Sequence, residues 1–108
     1  MRNERAAQRL RIYCGESAHS HHTALAHAIV LQARDLGLAG ATVVRGIEGF
    51  GVHRHLHEAR LIEIEDDLPL VVEIVDSPAQ ITRLLDTLGD ITGEAVCTLE
   101  DVIIVAYR

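Results

Sequence analysis

Gly40-Ala-Thr-Val-Val-Arg-Gly-Ile-Glu-Gly-Phe-Gly51 reads as a β-branched strand that runs straight into glycines at 46, 49 and 51. Glycine accepts positive φ and lets another group approach the backbone closely. Three of them at a strand exit suggest a bare backbone surface for a ligand, with Arg45 and Glu48 beside it. A bulged exit without a ligand explains the same spacing equally well. The guanidinium of Arg45 suits a phosphate, which it can grip bidentately. It also suits Glu48 or another acidic neighbour.

Working outward, Arg9-Leu-Arg-Ile-Tyr-Cys14 alternates polar and apolar, which predicts a strand with Leu10, Ile12 and Cys14 on one face. Gly15 to His22 reads as a loop, with Ser20 or Thr23 as a helix cap. Leu25, Ile29, Ala33 and Leu36 form a helical stripe, which Gly37 ends as a C′ residue. Ala41 to Arg45 is a second strand. Ala59 to Ile64 alternates again, and Asp66-Asp67-Leu68-Pro69 interrupts it. Pro69 cannot donate to a ladder, so an edge or bulge is expected there.

Leu70-Val-Val-Glu-Ile-Val75 is the strongest strand of the chain. Ser77-Pro78-Ala79-Gln80 predicts a helix start, with Ser77 as N-cap, Pro78 at N1 and Gln80 completing a capping box. Ile81, Leu84, Leu85 and Leu88 are its buried stripe, and Gly89 is read as its end. Val102 to Tyr107 is a last strand. The order β-α-β-β-α-β predicts an α+β, ferredoxin-like fold: an antiparallel sheet with two helices on one face. Tyr13, Val44, Val71 and Val75 would then give the other face apolar surface, of the kind another subunit covers. Residues 1–8 are expected as a flexible N-terminal tail, and 9–108 as a single domain.

The chain has 108 residues, a size that fits one domain, and 48% of them are hydrophobic. Its formal net charge of −6 argues against nucleic acid and against docking on anionic membranes. No apolar run approaches the ~20 residues that span a bilayer, so no membrane insertion is expected. Nor does an apolar signal core follow Met1 to Arg9, so the expected location is cytoplasmic. All ten cations are arginine. Lysine chemistry, from Schiff bases to the phosphate-gripping lysine of a P-loop, is therefore absent. Cys14 and Cys97 lack CxxC spacing and are read as reduced, small buried hydrophobes.

His53, His55 and His57 alternate and would project to one side of an extended segment. Such imidazoles suit Zn²⁺ or Ni²⁺, but along one strand they spread over ~13 Å at ~3.3 Å per residue, so only adjacent pairs can share an ion. A polar loop is the plainer reading, and no metal site is assigned. His19, His21 and His22 read as solvated loop residues. Asp66 and Asp67 read as a strand end. Glu16 reads as an isolated loop acid. No nucleophile, base and oxyanion grouping emerges, so no catalytic residue is named and a non-enzyme is expected.

Gly49-Phe50-Gly51 after a Thr-Val strand, then a polar loop, then Leu68-Pro69 leading into Val72-Glu73-Ile74-Val75, resembles the nitrogen-regulatory PII signalling proteins. The resemblance is closer to their uncharacterised PII-like relatives. In those, Gly-Leu-Ala-Gly-Ala-Thr-Val (37–43), Arg-Gly-Ile-Glu-Gly-Phe-Gly (45–51), His-x-Ala-Arg (57–60), Asp-Leu-Pro (67–69) and Ile-Val-Asp (74–76) recur in this order. It extends from Arg9 to Tyr107. It implies a ferredoxin-like subunit in a homotrimer, with adenine nucleotide bound in clefts between subunits.

It also implies that the loop after Gly51 contacts a regulated partner, of which a membrane transporter is one class. Carried over, Thr42, Gly49, Phe50 and Gly51 join Arg45, Gly46 and Glu48 as candidate nucleotide contacts. PII proteins have a glycine-rich, lysine-bearing phosphate loop before the last strand. Here Thr92 to Thr98 holds one glycine and no lysine. AMP or ADP is therefore the expected ligand rather than ATP, and no required cofactor is expected. The loop also has no tyrosine to accept uridylylation. The rival readings are a metal protein or enzyme using His53, His55 and His57, and a structural accessory subunit that binds no nucleotide.

Overall fold

Leu10 and Ile12 point to one side of the first strand and are fully buried, as their alternation predicts. They mark the helix-covered face of a four-stranded sheet. In this computed structural model residues 1–50, 68–93 and 95–108 are described. The elements are β1 (Arg2–Gly15), a short hairpin of β2 (His19–Ser20) and β3 (Thr23–Ala24), α1 (Leu25–Asp35), β4 (Thr42–Arg45), β5 (Pro69–Asp76), α2 (Pro78–Thr92) and β6 (Val96–Tyr107). The sheet order is β4-β5-β1-β6, and each neighbouring pair is antiparallel. Both described helices pack on one face, and the fold is α+β and ferredoxin-like. The expected strand over Ala59 to Ile64 lies outside the described residues.

The core joins Leu10, Ile12, Val72 and Ile74 of the sheet to Leu25, Ile29 and Ala33 of α1 and to Ile81, Leu84 and Leu88 of α2. Both predicted helical stripes therefore face the sheet. Leu36 and Leu85 pack at its margin. Between the helices the Gln32 side-chain amide donates to Thr87 Oγ1 at 3.3 Å.

The helix ends divide the local signals into those the structure uses as expected and those it redirects. Gly37 has φ +83°. Its N–H bonds Arg34 O, and the N–H of buried Leu38 bonds Ala33 O, each at 3.0 Å. Those are the two bonds of a Schellman end. Ser77 caps α2, its hydroxyl accepting from the Gln80 N–H at 3.3 Å. The reciprocal half of the expected capping box is not made. Gln80 instead donates its amide to Gly37 O at 3.3 Å and accepts from Arg83, whose guanidinium also donates to Leu36 O at 3.0 Å. The side chains at the start of α2 thus serve the carbonyls at the end of α1, a competing use that only packing creates.

Other expectations are corrected. Neither Ser20 nor Thr23 caps α1; Ala24 stands at its N-cap without a side-chain bond, and the Leu25 N–H bonds Ala18 O at 2.8 Å. Gly89 does not end α2, which runs on to Thr92 before Gly93 turns with φ +62°. Pro69 is the first residue of β5, where a missing N–H is tolerated, and β5 is an interior strand rather than an edge. Residues 2–8, expected within a flexible tail, are the first half of β1. They pair with Asp101–Tyr107 of β6, and the chain ends join through Met1 N and Arg108 O at 2.6 Å. β6 itself starts at Val96, six residues before the predicted strand. The charged pair Glu100-Asp101 separates Val96 to Leu99 from the apolar run that follows, and pairing of Val96 to Glu100 with Tyr13 to Arg9 joins the two parts into one strand.

The face away from the helices follows from the register. Tyr13 pairs with Val71, which pairs with Val44, and Arg9 pairs with Val75. The four predicted apolar residues do share this face. Its middle, however, is charged: Arg11 Nε donates to Glu73 Oε2 at 2.9 Å, and Arg9 donates to both carboxylate oxygens of Glu100 at 2.9 Å. Arg11 also reaches Glu100 at 3.4 Å, linking three strands.

Candidate functional site

The strand exit is built where β4 ends beside the start of β5. Arg45 pairs with Leu70, and the Gly46 N–H then donates to Pro69 O at 2.7 Å. A Cβ on Gly46 would stand 2.7 Å from Pro69 Cγ and 3.3 Å from Pro69 O, and one on Gly49 would stand 3.0 Å from the same Cγ. Neither glycine has φ in the left-handed region. They are glycines because the pyrrolidine ring lies against their backbone. Part of the expected bare surface is therefore taken up inside the chain. Gly51 lies outside the described residues.

Past this packed corner the chain turns outward. Ile47 is 95% and Phe50 75% exposed, and Glu48 and Gly49 are exposed as well. On the same corner Arg45 makes a bidentate ion pair with Glu16. Its Nε donates to Oε2 at 2.8 Å and its terminal nitrogen bonds Oε1. Among the described residues its acidic partner is Glu16, not Glu48. The Glu16 N–H donates to Leu68 O at 2.9 Å, so this residue also ties the end of β1 to the approach to β5. In the sequence Glu16 reads as an isolated loop acid because its partner lies 29 positions away. No pattern in the sequence signals it.

Parity separates two candidates. Thr42 pairs with Glu73 and lies on the open sheet face, whereas Arg45 pairs with Leu70 on the helix-side parity. The structure brings Arg45, Gly46, Glu48, Gly49 and Phe50 to one corner and leaves Thr42 beside the charged patch. That patch is the other feature that sequence reading missed. Its trace was the period-two pair Arg9 and Arg11, whose acidic partners are fixed only by register. The hydrogen bond and charge of Arg9, then Arg11, hold the Glu100 carboxyl below its ordinary pKa, and the Glu73 bond raises that of Arg11.

The remaining candidates scatter. His19 Nδ1 lies 2.5 Å from Ser17 O, and His21 occupies the hairpin turn with φ +57°. His53, His55 and His57 lie outside the described residues. Among the described residues no three His, Cys, Asp or Glu groups gather as metal ligands. Cys14 is half-buried against the core, but Cys97 is exposed on the edge strand β6 rather than buried as expected. Partial burial pushes both thiols up. No described helix is long and apolar enough to cross a membrane.

Residues 7–104 match the model of the DUF190 family, described as "Uncharacterized ACR". A UPF0166 protein of Aquifex aeolicus is 35% identical over 94 residues, covering 86% of this chain and 88% of its own. A UPF0166 protein of Methanocaldococcus jannaschii is 38% identical over 55 residues, 51% of this chain and 50% of its own. Among solved structures, CPII of Thiomonas intermedia, a nitrogen regulatory PII-like protein bound to ADP, AMP and bicarbonate, superposes with TM-score 0.66 at 18% identity. The match covers 94% of this chain and 91% of that one. A PII-like protein of Thermus thermophilus gives TM-score 0.65 at 16% identity, covering 94% and 92%. The fold is that of PII-like proteins.

Proposed function

The chain belongs to the DUF190 family, and on that footing we propose that it is a non-enzymatic regulatory protein that binds an adenine nucleotide. The nucleotide is AMP or ADP, bound at subunit clefts of a cytoplasmic homotrimer. Binding is passed to a partner protein, with a membrane transporter as the candidate class, through residues 52–59. The observation that carries the reading is the sheet corner at the end of β4. There the exposed Ile47 and Phe50 follow Arg45 closely in the chain, past the end of β4. Apolar surface for a base beside a guanidinium for a phosphate is the chemistry a nucleotide needs. CPII, which shares the fold, is bound to ADP and AMP, and this supports the same ligand class here.

In this reading Arg45 meets the phosphate and Phe50 the base, with Glu48, Gly49 and Gly51 beside them. Gly46 shapes the corner, since its N–H already serves Pro69. Thr42, on the opposite sheet face, would meet a nucleotide only from the side where a second copy packs. One arginine without a lysine-bearing loop favours one or two phosphates over three. The test is isothermal titration of the intact protein with AMP, ADP and ATP, alongside light scattering for the assembly. Micromolar binding of AMP or ADP to a trimer is expected. No heat and no thermal shift with any of the three would end the nucleotide reading, and a monomer would end the cleft.

A further inference from the structure

A guanidinium intended for a ligand is here already engaged by the chain. Glu16 presents both carboxylate oxygens to Arg45, one on Nε and one on the terminal nitrogen. This is the planar, two-point geometry with which arginine receives phosphate. A carboxylate and a phosphate cannot both take that edge of the fork. The pair is open to water, with the Arg45 side chain 61% and that of Glu16 30% exposed. Exposed pairs of this kind separate at small cost, because water and salt replace much of what is lost. Meanwhile the Glu16 backbone is held by its bond to Leu68 O at 2.9 Å. Its side chain can therefore leave Arg45 without the chain around it coming apart.

We propose that Glu16 is a built-in competitor for the anion site: its carboxylate holds Arg45 in the unliganded protein, and an incoming phosphate displaces it. This rests on the nucleotide reading and adds its regulation. The exchange is of one anion for another on a fixed cation: the two Arg45–Glu16 hydrogen bonds give way to Arg45–phosphate ones, with no covalent bond made or broken. The apparent dissociation constant rises by the factor by which the paired state outweighs the open one.

A positioning role for Glu16, aligning Arg45 for the phosphate, predicts the opposite sign. Titrating ADP into wild type, Glu16→Gln, Arg45→Gln and the double variant separates the two. Competition predicts that Glu16→Gln binds ADP about two- to five-fold more tightly, the range set by the strength of exposed ion pairs. It also predicts that this gain disappears when Arg45→Gln is added. Inorganic pyrophosphate should show the same gain, because the contest is for the phosphate. Equal or weaker binding by Glu16→Gln, with wild type still binding ADP, overturns the competitor and leaves the nucleotide reading standing. Failure of both wild type and Glu16→Gln to bind ADP overturns both. Circular dichroism at the titration temperature verifies that each variant is folded.

Discussion

Gly46→Ala tests the strand exit directly. The new methyl group would stand 2.7 Å from Pro69 Cγ and 3.3 Å from Pro69 O. The first separation is one that real Cβ atoms do not show, and the ring has only its pucker with which to retreat. Relief must come from moving β4 and β5 apart, which strains the 2.7 Å bond from Gly46 N–H to Pro69 O. Overpacking of this type costs about 1–3 kcal/mol. The φ of Gly46 is outside the left-handed region, so alanine also brings a gain of about 0.4–1 kcal/mol by restricting the unfolded chain. The net is a loss of up to about 2.5 kcal/mol, equivalent to a fall in Tm of up to about 12 °C for a domain near 100 residues.

Gly89→Ala is the matched control. Gly89 lies within α2 and has nothing within 4 Å of an added Cβ. The same chemical change there should stabilise by about 0.5–1 kcal/mol. Thermal unfolding by circular dichroism, at one fixed protein concentration because assembly shifts Tm, reads both. If Gly46→Ala melts at or above wild type, the close approach of Pro69 is not why residue 46 is glycine. The ligand-only explanation then returns.

Other consequences are equally open to measurement. Ser77→Ala removes the hydroxyl that accepts from the Gln80 N–H and should cost about 1 kcal/mol in urea unfolding; an unchanged midpoint would show that α2 does not depend on this cap. Asp76 is buried and accepts from Ala39 N at 2.8 Å and Ser77 N at 2.7 Å. Asp76→Ala strands two backbone donors and should lower the unfolding free energy by about 1–3 kcal/mol, with Asp76→Asn losing less because one acceptor remains. Glu100 has its folded pKa depressed, first by the Arg9 hydrogen bond. Its stabilisation is therefore complete above the ordinary carboxylate pKa and fades as pH falls through the lower folded value. The difference in urea midpoint between wild type and Glu100→Gln should shrink from pH 6 to pH 3, and a constant difference would refute the assignment.

Much of the fold was legible because its signals are local. The helical stripes at Leu25, Ile29, Ala33 and at Ile81, Leu84, Leu88 need only the 3.6-residue repeat, and each of these residues is buried. Ser77 and Gly37 act through bonds to residues within a turn of themselves. The alternation of Leu10 and Ile12 assigned the buried face of β1 before its partners were known. The candidate site was legible only as a place. The glycines after Arg45 marked a special strand exit, but the pattern could not tell a ligand from a proline ring as the reason for them.

What only the tertiary structure decided depends on register and distant closure. Residues 2–8 have no strand signal of their own. They are strand because Asp101–Tyr107 lie alongside. The open sheet face looked apolar from Tyr13, Val44, Val71 and Val75, yet pairing places the Arg9, Arg11, Glu73 and Glu100 charges among them. Arg45 could be seen as a cation at a strand exit, but not as one already held by Glu16. Local geometry is written in the sequence because neighbours along the chain are always close. Which distant groups meet is settled by how the sheet pairs and by where its strands end, and that is what sets Glu16 against Arg45.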